Sequence, residues 1–182
     1  LLAVERCSDL IQRAIKFEQQ NFLYIKALGS PWVQFNGHTL NLSHRQIEIL
    51  CILALHPYGI GLDELHYALY GERNVSIKTL KAELSQLRSL LPHCIEARIY
   101  KLTCEVQCDF VRAEQSLNAN LIASTFSLYK GSFLSKSESP LLSTWRHCFD
   151  ARLSQLIYQI RDIDQLLRII GQTHDRIDAV QR

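Results

Sequence analysis

The spacing of apolar residues changes character several times along the chain. At the N-terminus, Val4, Ile11, Ile15 and Phe22 recur at intervals of seven, four and seven, with Glu5, Arg6, Asp9, Gln12, Arg13 and Lys16 among the residues between them. This predicts a helix over 1–22 with a narrow apolar seam, suited either to a two-stranded coiled coil or to packing on its own domain. From Tyr24 the period shortens. Tyr24–Leu28, Trp32–Phe35 and His38–Leu42 read as short strands separated by Gly29-Ser30-Pro31 and Asn36-Gly37. Asn-Gly between apolar runs is a strong hairpin signal because both residues tolerate positive φ. A small antiparallel sheet is expected.

A helical period then takes over. Ser43 is a good N-cap and Gln46 stands three residues on, as in a capping box. Ile47, Leu50, Cys51 and Ala54 make one apolar face, which Pro57 and Gly59 end. A second helix follows Gly61, with Asp63 and Glu64 in its first turn, Leu65, Leu69 and Tyr70 on its apolar side, and Gly71 at its end. A third runs from about Ser76 to Leu91. Its Ile77, Leu80, Leu84, Leu87 and Leu91 form one core-facing stripe, and its other faces carry Lys78, Thr79, Lys81, Ser85, Gln86, Arg88 and Ser89. Past Pro92, Ile95–Leu102 and Glu105–Phe110 read as the two strands of a β-hairpin. From Asp109 the chain is helical again. Leu121–Tyr129 is one helix, ended by Gly131, and Ser135–Pro140 is a polar connector. Leu141 to about Ile170 is a long helix with Trp145, Phe149, Leu153, Leu156 and Ile160 on one side, interrupted at Gly171. The last dozen residues are polar enough to fray.

A short sheet, three helices and a hairpin, in that order, is the arrangement of a winged helix-turn-helix. The expected fold is therefore α+β, mainly α. It comprises an N-terminal linker or dimerisation helix (1–23), a winged helix-turn-helix with a small N-terminal antiparallel sheet (24–108) and a C-terminal helical segment (109–182). In such a fold the third helix lies in the major groove and the hairpin reaches the adjacent backbone or minor groove. The candidate DNA contacts are Lys78, Thr79, Lys81, Ser85, Gln86 and Arg88 on the helix, with Arg98 and Lys101 on the wing. Gln86 can read adenine bidentately, Lys78 or Lys81 can reach guanine or phosphate, and the Thr79 and Ser85 hydroxyls can bond phosphate oxygens.

Several motifs also resemble a known family. Leu42-Ser43-x-Arg45-Gln46-x-Glu48-x-Leu50 resembles the opening helix of OmpR/PhoB-type winged helices, and Leu69-Tyr70-Gly71 the end of their second helix. Leu84-Ser85-Gln86-Leu87-Arg88-x-x-Leu91 is similar to their recognition helix, and Ile99-Tyr100-Lys101-Leu102 to a wing strand. Tyr129-Lys130-Gly131-Ser132-Phe133-Leu134 and Ser137-Glu138-Ser139-Pro140 resemble the helical segment of regulators with a bacterial transcriptional activator domain. The layout is similar to the C-terminal half of GAF-domain-containing transcriptional regulators. The resemblance implies a cytoplasmic, sequence-specific regulator that binds double-stranded DNA as a homodimer, with RNA polymerase as a further partner. Many family members carry several Arg residues where this chain has Ser85, Gln86 and Ser89.

Composition limits the alternatives. Hydrophobic residues make up 47% of the 182 and charged residues 21%, as in ordinary globular proteins. No apolar run reaches the roughly 18 residues of a membrane helix, and no secretory signal is visible. Residue 1 is Leu and Met is absent, which suggests a piece of a longer chain. Net charge is only +2, so any DNA function must come from arrangement more than from bulk charge. Cys7, Cys51, Cys94, Cys104, Cys108 and Cys148 contain no C-x-x-C pair and read as small hydrophobes in a reducing compartment; Cys104 and Cys108 flank a hairpin strand. The seven histidines have no zinc-site spacing, and no nucleophile elbow, P-loop or nucleotide fingerprint occurs. No enzyme activity, cofactor, metal site or membrane partner is therefore expected. The near-neutral charge and Arg-poor third helix leave a second class open, a winged helix that serves as a protein-interaction scaffold without binding DNA.

Overall fold

The computed structural model describes residues 21–172. The helix expected over 1–22 lies outside these residues except at its end, where Phe22 already belongs to a strand. The last ten positions, expected to fray, also lie outside them.

Strands β1 (Phe22–Lys26), β2 (Trp32–Phe35) and β3 (His38–Leu40) form the expected antiparallel meander. Alternation fixes its inner face: Leu23, Ile25 and Val33 are fully buried. Asn36 and Gly37 turn the β2–β3 hairpin with φ of 49° and 81°. The Asn36 side chain also accepts the Phe22 amide over 2.8 Å, tying the turn back to the start of β1.

Helix α1 (His44–Leu55) begins with the capping box expected from Ser43 and Gln46. Helices α2 (Leu62–Tyr70) and α3 (Ile77–Leu90) follow, and Leu80, Leu84, Leu87 and Leu91 point into the core. Burying each such leucine contributes about 1.5–3 kcal/mol.

The wing differs from expectation. Its hairpin lies wholly within 95–102, pairing β4 (Ile95–Glu96) with β5 (Lys101–Leu102). Strand β6 (Glu105–Cys108) leaves the hairpin and runs parallel to β1, with Phe22 opposite Glu105 and Ile25 opposite Cys108. The main sheet thus has order β3-β2-β1-β6, the expected antiparallel meander with one parallel strand added at its edge. An alternating strand looks the same whichever neighbour it pairs with. The hairpin docks on the loop after α1, where Ile60 and Tyr100 exchange backbone hydrogen bonds of 3.0 and 2.9 Å.

Asp109 opens α4 (Asp109–Asn118), so Phe110, expected in a strand, is helical. Helix α5 (Ile122–Leu128) is followed by α6 (Pro140–Gln159) and α7 (Ile163–Gln172). The long helix therefore breaks at 160–162 and not at Gly171, which lies inside α7. Asp162 supplies the physical reason: its carboxylate accepts the Asp164 amide over 2.9 Å, and its carbonyl accepts the Leu166 amide.

One cluster of buried residues runs from Leu23 to Ile169. Phe110, Phe133, Trp145 and Phe149 form an aromatic group within it, with Phe133 and Trp145 centroids 4.5 Å apart. The connector before α6 is polar in sequence but only partly solvated: Ser135, Lys136 and Glu138 are exposed, whereas Ser137 and Ser139 are buried. Ser137 donates to the buried Glu48 of α1, and Ser139 donates to the Ala68 carbonyl of α2 over 2.7 Å while capping α6. Glu48 also takes an ion pair from Arg45 at 2.6 Å, and the Arg45 guanidinium lies over the Tyr70 ring. The Asp109 carboxylate accepts the amides of Ala27, Leu28 and Phe110 over 2.8, 3.0 and 2.7 Å. No helix among the described residues is long and apolar enough to cross a membrane.

Candidate nucleic-acid interface

Helix α3 is two-faced. With about 100° per residue, its buried stripe leaves an opposite arc of roughly half a turn. That arc carries Lys78, Thr79, Lys81, Ala82, Ser85, Gln86, Arg88 and Ser89, all exposed. It contains three cations and no carboxylate. Among the described residues none of Lys78, Lys81 and Arg88 is in an ion pair. The acidic residue of the helix, Glu83, lies off this arc and is half-buried. A near-neutral chain thus concentrates positive charge on one helical face, a segregation that net charge does not reveal.

Two of the sequence candidates have partners within the protein. Gln86 is exposed, but its Oε1 accepts from Gln46 Nε2 over 3.0 Å. A bidentate contact to adenine needs that oxygen as well as the amide nitrogen, so in this geometry one of the two acceptor positions of Gln86 is already taken and the side chain is held by Gln46. On the wing, Lys101 pairs with Glu96 across the hairpin at 3.0 Å. Arg98, exposed in the turn between β4 and β5, is in no ion pair among the described residues. Thr79 and Ser85 are exposed on α3 as the arc requires, and Ser89 spends its hydroxyl on the Ser85 carbonyl.

The neighbours of α3 hold it in place. The turn from α2 is tied down by Arg73, which pairs with Glu138 at 2.8 Å, and by His66, whose ring nitrogen meets the Val75 carbonyl at 2.8 Å. At the far end, Pro92 and His93 turn the chain into the wing. His93 is exposed with φ of 61°. Sequence reasoning set His93 aside among the scattered histidines; its place directly after the helix-stopping Pro92 was the signal available.

The cysteines do not gather at this interface. Cys94 and Cys104 lie close enough at the base of the hairpin to influence each other, and the Cys94 thiol donates to the Pro92 carbonyl over 3.5 Å. Burial pushes the thiols of both Cys104 and Cys108 up to about 12, which keeps them protonated and poorly nucleophilic. Cys51 is shifted up in the same way by its complete burial.

Comparison with known proteins gives the fold wider support. No family profile matches the chain. It is 29% identical over 153 residues to an uncharacterized 47.3 kDa protein encoded in the thcA 5′ region of Rhodococcus erythropolis, across 84% of this chain and 35% of that relative. The chain thus spans about a third of the length of this relative. Among solved structures it resembles Mycobacterium tuberculosis EmbR, solved in complex with a low-affinity phosphopeptide, with a TM-score of 0.55 and 16% identity. That match covers 84% of this chain and 49% of the other. At this identity the likeness is one of fold alone, a winged helix with a small N-terminal sheet and several helices.

Proposed function

We propose that the chain is the DNA-binding part of a transcriptional regulator, with α3 in the major groove and the β4–β5 hairpin on the adjacent backbone. The observation that carries this is the exposed arc of α3: three cations, the hydroxyls of Thr79 and Ser85 and no carboxylate, on the helix that a winged helix presents to DNA. Arg98 extends the positive surface onto the wing. In this reading the protein acts in the cytoplasm without a catalytic step. A second protomer and RNA polymerase are its further partners, and an upstream sensor such as a GAF domain supplies the signal.

The test is selection of bound sequences from a random duplex pool at two salt concentrations. Enrichment of one sequence, with affinity falling as salt rises, is the expected result. Absence of binding even at low salt would overturn the proposal.

One observation favours the second reading, a protein-docking scaffold. A mostly apolar groove lies where α2 meets α6, lined by Leu55, Tyr67, Leu141 and Trp145 and flanked by Glu64 and Glu114. Tyr67 is 62% exposed there, more than a lone core residue would be. If the duplex selection fails, this groove becomes the surface of interest.

A further inference from the structure

A cleft separates the C-terminal half of α3 from the base of the wing. Ser85, Arg88 and Ser89 line it from the helix, and Pro92 and His93 from the turn into the wing. Its volume is about 460 Å³, room for far more than the ~30 Å³ of one water.

That turn is built with unusual care. His93 sits in the left-handed region, φ 61°, where a residue other than Gly is uncommon and costs free energy. The surrounding bonds hold it there. Asn21 donates to the Pro92 carbonyl over 3.2 Å and Thr103 to the His93 carbonyl over 2.9 Å. The Cys94 amide donates to the Leu91 carbonyl, and the Thr103 amide to the Cys94 carbonyl. Both carbonyls of the Pro92-His93 turn are thus capped, and the imidazole is exposed beside the cleft. The carboxylate of the hairpin, Glu96, is paired with Lys101 at 3.0 Å. Arg88, which lines the cleft from α3, has no ion pair among the described residues.

We infer that this cleft is a site for a backbone phosphodiester, with Arg88 supplying charge and a ring N–H of His93 supplying a hydrogen bond from the turn into the wing. The inference rests on the DNA reading and deepens it. A helix in the major groove and a hairpin on the neighbouring backbone straddle the phosphate strand that divides the two grooves. That strand must cross between α3 and the wing. A phosphate contact fixes register and orientation without reading sequence, so Arg88 and His93 act as a clamp, while Lys78 and Lys81 remain for the bases.

The experiment uses the whole chain and two duplexes, one selected sequence and one unrelated, with affinity measured from 50 to 200 mM salt. His93→Asn tests the imidazole, since Asn tolerates positive φ and preserves the turn. Arg88→Ala tests the charge, and Arg88→Lys keeps it. Melting temperatures confirm that each variant folds. His93→Asn should weaken binding to both duplexes by the same factor, about fivefold for one lost hydrogen bond. Arg88→Ala should do likewise and make the salt dependence shallower by about 0.9, with Arg88→Lys restoring the slope. If both variants bind like the parent while Lys81→Ala weakens binding, the clamp is wrong and the DNA reading stands. Should either variant change which sequence is preferred, the residue reads bases, and the phosphate assignment fails. A parent that binds neither duplex removes the DNA reading and the clamp together.

Discussion

Gln46 joins the start of α1 to the middle of α3: its Oε1 accepts the Ser43 amide over 3.0 Å while its Nε2 donates to Gln86 Oε1 over 3.0 Å. One buried amide therefore completes a capping box and orients a side chain on the exposed face of α3. Gln46→Leu should release Gln86, whose oxygen can then accept from adenine. The expected outcome is a changed preference at one base position in duplex selection. A stability loss of about 1 kcal/mol from the damaged cap should accompany it. An unchanged preference would mean that Gln86 does not reach the bases.

The carboxylate of Asp109 joins the C-terminal helices to β1. It takes three amides, two of them at the end of β1, while burial pushes its pKa up and those same amides pull it down. Asp109→Asn keeps one oxygen and turns an NH₂ toward an N–H. A loss of about 1–3 kcal/mol in urea unfolding is expected for the stranded amide. A neutral effect would show that an ordered water or a backbone shift replaces the bond.

Gly59 has φ of +97°, and a Cβ built there would lie 2.3 Å from Ile99 Cγ2 at the wing. Gly59→Ala should destabilise the protein by about 1–3 kcal/mol through backbone strain and contact with the hairpin. Adding Ile99→Ala removes the contact but not the strain, so the double variant should recover only part of the loss. Full recovery would assign the whole cost to the contact.

The raised thiols make an alkaline prediction. In the folded protein Cys104 and Cys108 hold their protons to about pH 12, whereas in the unfolded chain they lose them near the ordinary value of about 8.5. Groups with raised folded pKa values stabilise fully below the unfolded pKa, and that contribution falls as pH rises toward the folded one. Melting temperature should therefore decline from about pH 8.5 upward, and less steeply in Cys108→Ala. At neutral pH, Cys148, the exposed thiol among the described residues, should be alkylated before Cys51, Cys94, Cys104 and Cys108.

The parts legible in the sequence were those set by local pattern. Leu80, Leu84, Leu87 and Leu91 mark the core stripe of α3 at helical spacing, and Ser43 with Gln46 marks the start of α1, because both effects act within a few residues. The parts that were not legible depend on distant partners. Val106 and Cys108 alternate as well for a wing strand as for a strand beside β1, some 80 residues away in sequence. Ser137 and Ser139 look like a solvated connector until Glu48 and the Ala68 carbonyl are placed beside them. The break before α7 did have a local signal in Asp162, a helix-capping residue type masked by the continuing apolar stripe. For the interface, the exposed set on α3 was legible. The commitments of Gln86 to Gln46 and of Lys101 to Glu96 were not, since each is a matter of geometry between separate elements.

The parallel pairing of β1 with β6 has a mechanical consequence. The chain enters the pair at Phe22 and leaves it after Cys108, at opposite ends of two strands that run the same way. Tension between the two flanks would therefore pull the strands past each other along their length and load all the bonds between them together, instead of opening them one at a time. The winged unit is gripped where the chain enters and leaves it, so a displacement of one flank is transmitted to the other before the helices between them come apart.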